Sequence, residues 1–166
     1  DLEKKPYQYI SIRTDITQER ALTDEINTSK QLLQNVMNTL GEGVYTLDAA
    51  GNCNFINLEA EKILGWSLTE LRGKSLHNLI HAQNHNGDLV AQADCPINRA
   101  VTQGQVYRSD QEYFQHRSGR LFPISIVASP IIENDEIVGS VAAFQDITAR
   151  LAAQFALRES ENKQRM

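Results

Sequence analysis

The sequence predicts an α+β fold: a five-stranded antiparallel sheet, interrupted after its second strand by short helices that cover one face, with a long helix before it and another after it. Three observations carry this expectation. A short hairpin pattern occupies residues 43–57, a stretch dense in turn residues and short helical patterns occupies 58–104, and three long strand patterns separated by tight turns fill 105–145. The chain has 166 residues, of which 41% are hydrophobic and 22% charged, which suits one soluble core with appendages.

At the start, Tyr9-Ile10-Ser11-Ile12-Arg13-Thr14-Asp15-Ile16-Thr17 alternates like a strand and leads into helix-forming Gln18-Glu19-Arg20-Ala21-Leu22. Near the end, Gly139 to Gln145 runs through Asp146-Ile147-Thr148 into helix-forming Ala149 to Ala153. Strand, Asp-Ile-Thr and polar helix recur in the same order, and an Asp or Thr at such a junction can accept hydrogen bonds from the first free helical N–H groups. The first copy is therefore expected to be the last strand of a preceding domain, over residues 1–17, followed by a helical linker over 18–31. From Leu22 to Leu40 the positions Leu22, Ile26, Ser29, Leu33, Val36 and Leu40 step by four, three, four, three and four, a seam broken only at Ser29. Two readings stand: a helix that pairs with another helix, and one amphipathic helix lying on its own domain's sheet.

Gly43 to Asp48 and Cys53 to Asn57 flank Ala49-Ala50-Gly51-Asn52 and read as a hairpin. Leu58 to Leu64 reads as a helix closed by Gly65, and Ser67-Leu68-Thr69-Glu70 has the capping-box pattern of another. The stretch from Gly73 to Gly104 reads as loop and short helix, with Ile97 to Val101 its strongest helical part. Strands follow at Gln105–His116, Arg120–Ile132 and Glu136–Gln145, joined by turns at Ser118-Gly119 and Asn134-Asp135. In the middle strand Ile124, Ile126 and Ala128 alternate with Ser125, Val127 and Ser129, so one face is apolar.

The composition excludes several function classes. A net charge of −5 without a Lys/Arg cluster provides no face for phosphates, so nucleic acid is not an expected partner. Cys53 and Cys95 form no CxxC or finger spacing, which fits a reduced, cytoplasmic chain without disulfides or structural zinc. No apolar run reaches the roughly 20 residues of a membrane helix, so no membrane contact by this segment is expected. Nucleophile elbow, Walker loop and HExxH motifs are missing, and the segment is not expected to be an enzyme.

Several pieces in order resemble the PAS family of sensor domains: the Asp48-to-Asn57 hairpin, Ala60-Glu61-Lys62-Ile63-Leu64-Gly65-Trp66 with Leu71-Arg72-Gly73-Lys74, Arg117-Ser118-Gly119-Arg120-Leu121-Phe122-Pro123, and Ile137-Val138-Gly139 running into Asp146-Ile147-Thr148. The resemblance implies a sensor domain over residues 32–148 and a signalling helix over 149–166. It also implies a small ligand or cofactor held between sheet and helices, relay through Asp146, Ile147 and Thr148, and neighbouring PAS and output domains, such as a histidine kinase of a two-component system or a diguanylate cyclase. The rival from another class is a cofactor-free dimerisation module, a homodimer through the coiled coil of the N-terminal helix.

For the occupant, an empty or metabolite-binding pocket leads, FAD comes next and haem last. The photochemical flavin branch carries a cysteine where this chain has Leu76 and a glutamine where it has Phe144, so a cysteinyl-flavin adduct is not expected. Bound FAD would rest on Asn57, Trp66 and the apolar face of Ile124, Ile126 and Phe144; the alternative is that Asn57 caps the following helix and Trp66 packs the core. For haem, His77 is the first candidate ligand, although the family's usual histidine position near Ile97 to Val101 has none. His81 and His85 fall in a stretch with the composition of a solvated loop, and with Cys95 they carry no recognised metal spacing, so no metal site is expected.

Overall fold

The computed structural model describes residues 5–166, with side chains from Ile16 onward. It divides into two compact units, the residues up to Val36 and those from Met37 to Met166. The first consists of helix α1, Lys5–Thr39, whose last residues belong to the second. The run Tyr9–Thr17, expected as a strand, is helical. The physical reason is hydrogen bonding. A lone strand needs a neighbouring ladder to satisfy its N–H and C=O groups, none of the described strands pairs with this run, and a helix satisfies those groups internally. The seam residues Leu22, Ile26, Leu33, Val36 and Leu40 are all exposed.

The second unit contains strands β1 (Gly43–Asp48) and β2 (Cys53–Ile56), helices α2 (Leu58–Leu64), α3 (Leu68–Leu71) and α4 (Leu76–Ile80), a single 3-10 turn at Gln92–Asp94, helix α5 (Pro96–Thr102), strands β3 (Tyr107–Gln115), β4 (Leu121–Glu133) and β5 (Glu136–Asp146), and helix α6 (Thr148–Arg165). The five strands form one antiparallel sheet in the order β2-β1-β5-β4-β3, which gives the α+β class the sequence predicts.

Local chemistry explains the boundaries. The Asp48 carboxylate accepts from the Ala50 and Asn52 N–H groups, both at 2.9 Å, and Gly51 supplies the left-handed φ of 87° that closes the β1–β2 turn. Helix α2 ends at Gly65 with φ 76°, and α3 begins in a complete capping box between Ser67 and Glu70. The β4–β5 turn places Asn134 and Asp135 at φ 50° and 65°, the two left-handed positions of a type I′ hairpin.

The inner face of the sheet is apolar by alternation. Along β4, Phe122, Ile124, Ile126 and Ala128 are buried, and across the register Ile126 faces Phe144 and Ala128 faces Ala142. Helices α2 to α5 pack over this face against β1, β2, β3 and β4. Phe114, Phe144 and Tyr45 meet at its centre, with the Phe114 and Phe144 rings edge to face at 5.1 Å.

Candidate functional site: a cavity with a buried histidine–cysteine cluster

Between α4, α5 and the inner face lies a cavity of about 60 Å³, room for a few water molecules or a small ligand. Apolar walls come from Leu76, Ile80, Ile97, Val101 and Phe114, and β5 contributes Ile137, Gly139 and Ser140. The polar part is a cluster of His77, His81 and Cys95.

Each member is placed by ordinary local structure. Ser75 accepts from Asn78 N–H and starts α4, which turns His77 inward from the first turn and leaves His81 at the C-cap, so the two rings meet edge to face at 5.5 Å. Cys95 stands immediately before α5, whose first residue is Pro96, and only 2% of it is exposed. The His77 ring nitrogen Nε2 lies 2.8 Å from the Val90 carbonyl, which fixes it as an N–H donor and leaves Nδ1 as a bare acceptor. That Nδ1 is buried without a hydrogen-bond partner. His81 Nδ1 lies 3.2 Å from the Cys95 sulfur and its Nε2 3.1 Å from the Glu112 carboxylate. The Tyr107 hydroxyl donates to the other oxygen of Glu112.

A β-bulge makes this last arrangement possible. On β3, Tyr107 and Ser109 oppose Ala128 and Ile126, but the next inward pairs are Glu112 with Ile124 and Phe114 with Phe122. Three steps on β3 thus match two on β4, and the extra residue turns Glu112 toward the core.

The charges follow from these contacts. Burial raises the cost of a Cys95 thiolate, but the His81 ring, whose Nδ1 lies 3.2 Å from the sulfur, outweighs this and holds the thiol below its usual range. Burial lowers His81, while its bonds to Cys95 and Glu112 carry it up to about 9. The bonds from His81 and Tyr107 outweigh burial at Glu112 and hold its carboxyl below the usual range, and burial together with Glu112 pushes Tyr107 up to about 12. The Cys95 thiol and the Glu112 carboxylate thus stand on opposite ring nitrogens of His81, at 3.2 and 3.1 Å, a polar relay in an otherwise apolar shell.

Of the six residues expected to contact a cofactor, the structure puts one, His77, on the cavity wall. Ile124, Ile126 and Phe144 are fully packed in the core. Asn57, 4% exposed, spends its amide on the fold: Oδ1 accepts from Val44 N–H and Ala60 N–H, and Nδ2 donates to the Glu42 carbonyl. Trp66 packs at the edge of the core with the Arg117 guanidinium 4.8 Å over its ring. These residues do not form a slot for FAD. His77 does not fit as a haem ligand either, because Nε2 is held by the Val90 carbonyl, Nδ1 is fully buried, and a cavity of about 60 Å³ has no room for a macrocycle. His81 is buried rather than solvated, because Cys95 and Glu112 satisfy its ring, whereas His85 is exposed beside Tyr113. Glu112 and Tyr107 escape sequence reasoning, since a regular strand would not turn both inward.

At the exit, the Asp146 carboxylate accepts from the Thr148 N–H at 2.9 Å and from its hydroxyl, while Ile147 is buried and its N–H donates to the Pro123 carbonyl. The end of β5 is thereby joined to the start of α6.

Known proteins place this architecture. The PAS fold matches residues 31–147, and the chain belongs to that family, whose domains are sensory and regulatory modules. A PAS domain from Colwellia psychrerythraea is 20% identical with a TM-score of 0.56, covering 74% of this chain and 98% of its own. The PAS domain of nitrogen regulation protein NR(II) from Vibrio parahaemolyticus is also 20% identical, with a TM-score of 0.53, covering 70% of this chain and 98% of its own. Among curated proteins, a probable diguanylate cyclase, DgcE, of Escherichia coli (strain K12) is 28% identical over 144 residues. The match takes in 84% of this chain but only 12% of that protein's length. No helix among the described residues is long and apolar enough to cross a membrane.

Proposed function

We propose that this PAS domain senses a small ligand in its cavity and relays the bound state through β5 and α6 to a downstream output module in the cytoplasm. The observation that carries this reading is continuity: Ile137, Gly139 and Ser140 wall the cavity, and the same strand ends at the Asp146–Thr148 junction that starts α6. A ligand shifts this element only if it contacts the two states differently, and a strand that is both wall and exit supplies such a contact. Similarity to a fragment of a probable diguanylate cyclase supports a cyclase as one class of output.

The test joins Thr148–Met166 in helical register to a diguanylate cyclase reporter. Ser140→Leu, which fills the cavity, should change cyclase output at least threefold, and Asp146→Ala, on the exposed junction, should uncouple output from cavity changes. If both variants are folded and neither alters output, sensing through this cavity is wrong.

The second reading, a cofactor-free dimerisation module, is favoured by the exposed stripe of Leu22, Ile26, Leu33, Val36 and Leu40 on α1. It requires a dimer by light scattering that Leu33→Glu converts to monomer, with output insensitive to Ser140→Leu. The same dimer with sensitive output supports sensing within a homodimer.

A further inference from the structure

We infer that His77, His81 and Cys95 form a binding site for one zinc-class divalent transition ion. One donor atom from each residue lies within 4.8 Å of the other two. Ligands of a tetrahedral ion stand about 3.5 Å apart, given Zn–N near 2.1 Å and Zn–S near 2.3 Å, so side-chain adjustments of about 1 Å close the site.

The outer contacts match what metal-bound imidazoles require. His77 donates from Nε2 to the Val90 carbonyl at 2.8 Å and keeps Nδ1 free, and His81 presents Nε2 to the Glu112 carboxylate at 3.1 Å while its Nδ1 lies 3.2 Å from the Cys95 sulfur. Glu112 is braced in turn by the Tyr107 hydroxyl. His77 is 9% exposed, and its Nδ1 is a buried acceptor without a hydrogen-bond partner. An unpartnered buried acceptor is destabilising, and a metal ion is a partner that would remove the cost.

Two imidazoles and a thiolate select a borderline or soft ion and reject magnesium and calcium, which require oxygen ligands. All three residues line the cavity, so a fourth coordination position opens onto it, as in zinc sites that accept an exchangeable ligand. The ion would then be the group that a small coordinating molecule meets on entering. Metal binding does not rest on the relay reading: an ion that binds without altering output leaves this inference standing.

The test uses the whole chain, reduced and treated with chelator, titrated with Co²⁺ as spectroscopic probe and then with Zn²⁺. Binding of one Co²⁺ per chain should give a thiolate-to-metal charge-transfer band in the near ultraviolet and intense tetrahedral bands in the red, all displaced by one equivalent of Zn²⁺. Cys95→Ser should abolish the charge-transfer band, and His77→Gln should weaken Co²⁺ binding at least tenfold. Should the variants not fold, the wild-type chain decides: stoichiometric Zn²⁺ should slow alkylation of Cys95 at least tenfold while leaving Cys53 unchanged. Absence of the cobalt bands at saturating metal, their survival in folded Cys95→Ser, or equal protection of both cysteines would overturn the inference.

Discussion

Replacing Asn57 by alanine tests whether this residue belongs to the fold or to a ligand. Its Oδ1 accepts from Val44 N–H and Ala60 N–H, each at 2.9 Å, and its Nδ2 donates to the Glu42 carbonyl at 3.0 Å. Val44 and Ala60 are buried, so neither amide gains water when the side chain is removed. An orphaned buried N–H costs about 1–3 kcal/mol and a lost N-cap about 0.5–2 kcal/mol. These share one acceptor and do not simply add, which puts the loss at about 2–4 kcal/mol. For a unit of this size that lowers Tm by roughly 6–15 °C. Urea unfolding followed by circular dichroism, with m unchanged, reads the loss directly. Asn57→Ser, which reaches only the Ala60 amide, should recover part of it. Asn57→Asp keeps the acceptor but sets a carboxylate against the Glu42 carbonyl, and should fall between wild type and alanine. If Asn57→Ala loses less than about 1 kcal/mol, the structural assignment is refuted and the amide is free to serve a ligand.

Other substitutions probe separate parts of the fold. Gly139→Ala drives a Cβ into the Leu47 carbonyl oxygen, a backbone atom that cannot step aside, and thermal unfolding should show a loss of about 2 kcal/mol or more. Asp135→Gly relieves a left-handed residue at φ 65° and should raise stability by up to about 1 kcal/mol, whereas Asp135→Val should lower it in the same assay. Hydrogen bonding from the Asn52 backbone, followed by its side chain and the Ala50 and Gly51 amides, outweighs the small burial of Asp48 and holds its carboxyl below the usual range. A depressed folded value means that this stabilisation is complete above the unfolded carboxyl range and is lost as pH falls through the folded value. Asp48→Ala should therefore lower Tm at neutral pH and converge with wild type toward pH 2, and a pH-independent difference would contradict it.

Much of the fold was legible because its signals are local. The capping box at Ser67–Glu70, the Gly65 stop, the Asn134-Asp135 turn and the alternation along Phe122–Ala128 each depend on neighbours within a few residues. Where a local signal stood alone it misled. Tyr9–Thr17 alternates, but alternation without a partner strand leaves its backbone unpaired, and the helix prevailed. The cofactor residues misled for a related reason: a polar Asn or an apolar strand face looks the same in sequence whether it contacts a ligand or its own fold.

The sequence by itself determined the order of the five strands along the chain, the apolar face of the sheet and the strand-to-helix junction at Asp146-Ile147-Thr148, since periodicity and capping are written in adjacent residues. Only the tertiary structure decided the site. It brought His77 and His81 from α4 against Cys95 before α5, and seated Glu112 beside His81 from a strand 31 residues further along the chain. No spacing announces that meeting, because it depends on how α4 and α5 lie on the sheet and on one extra residue in β3 that reverses which side chains face inward.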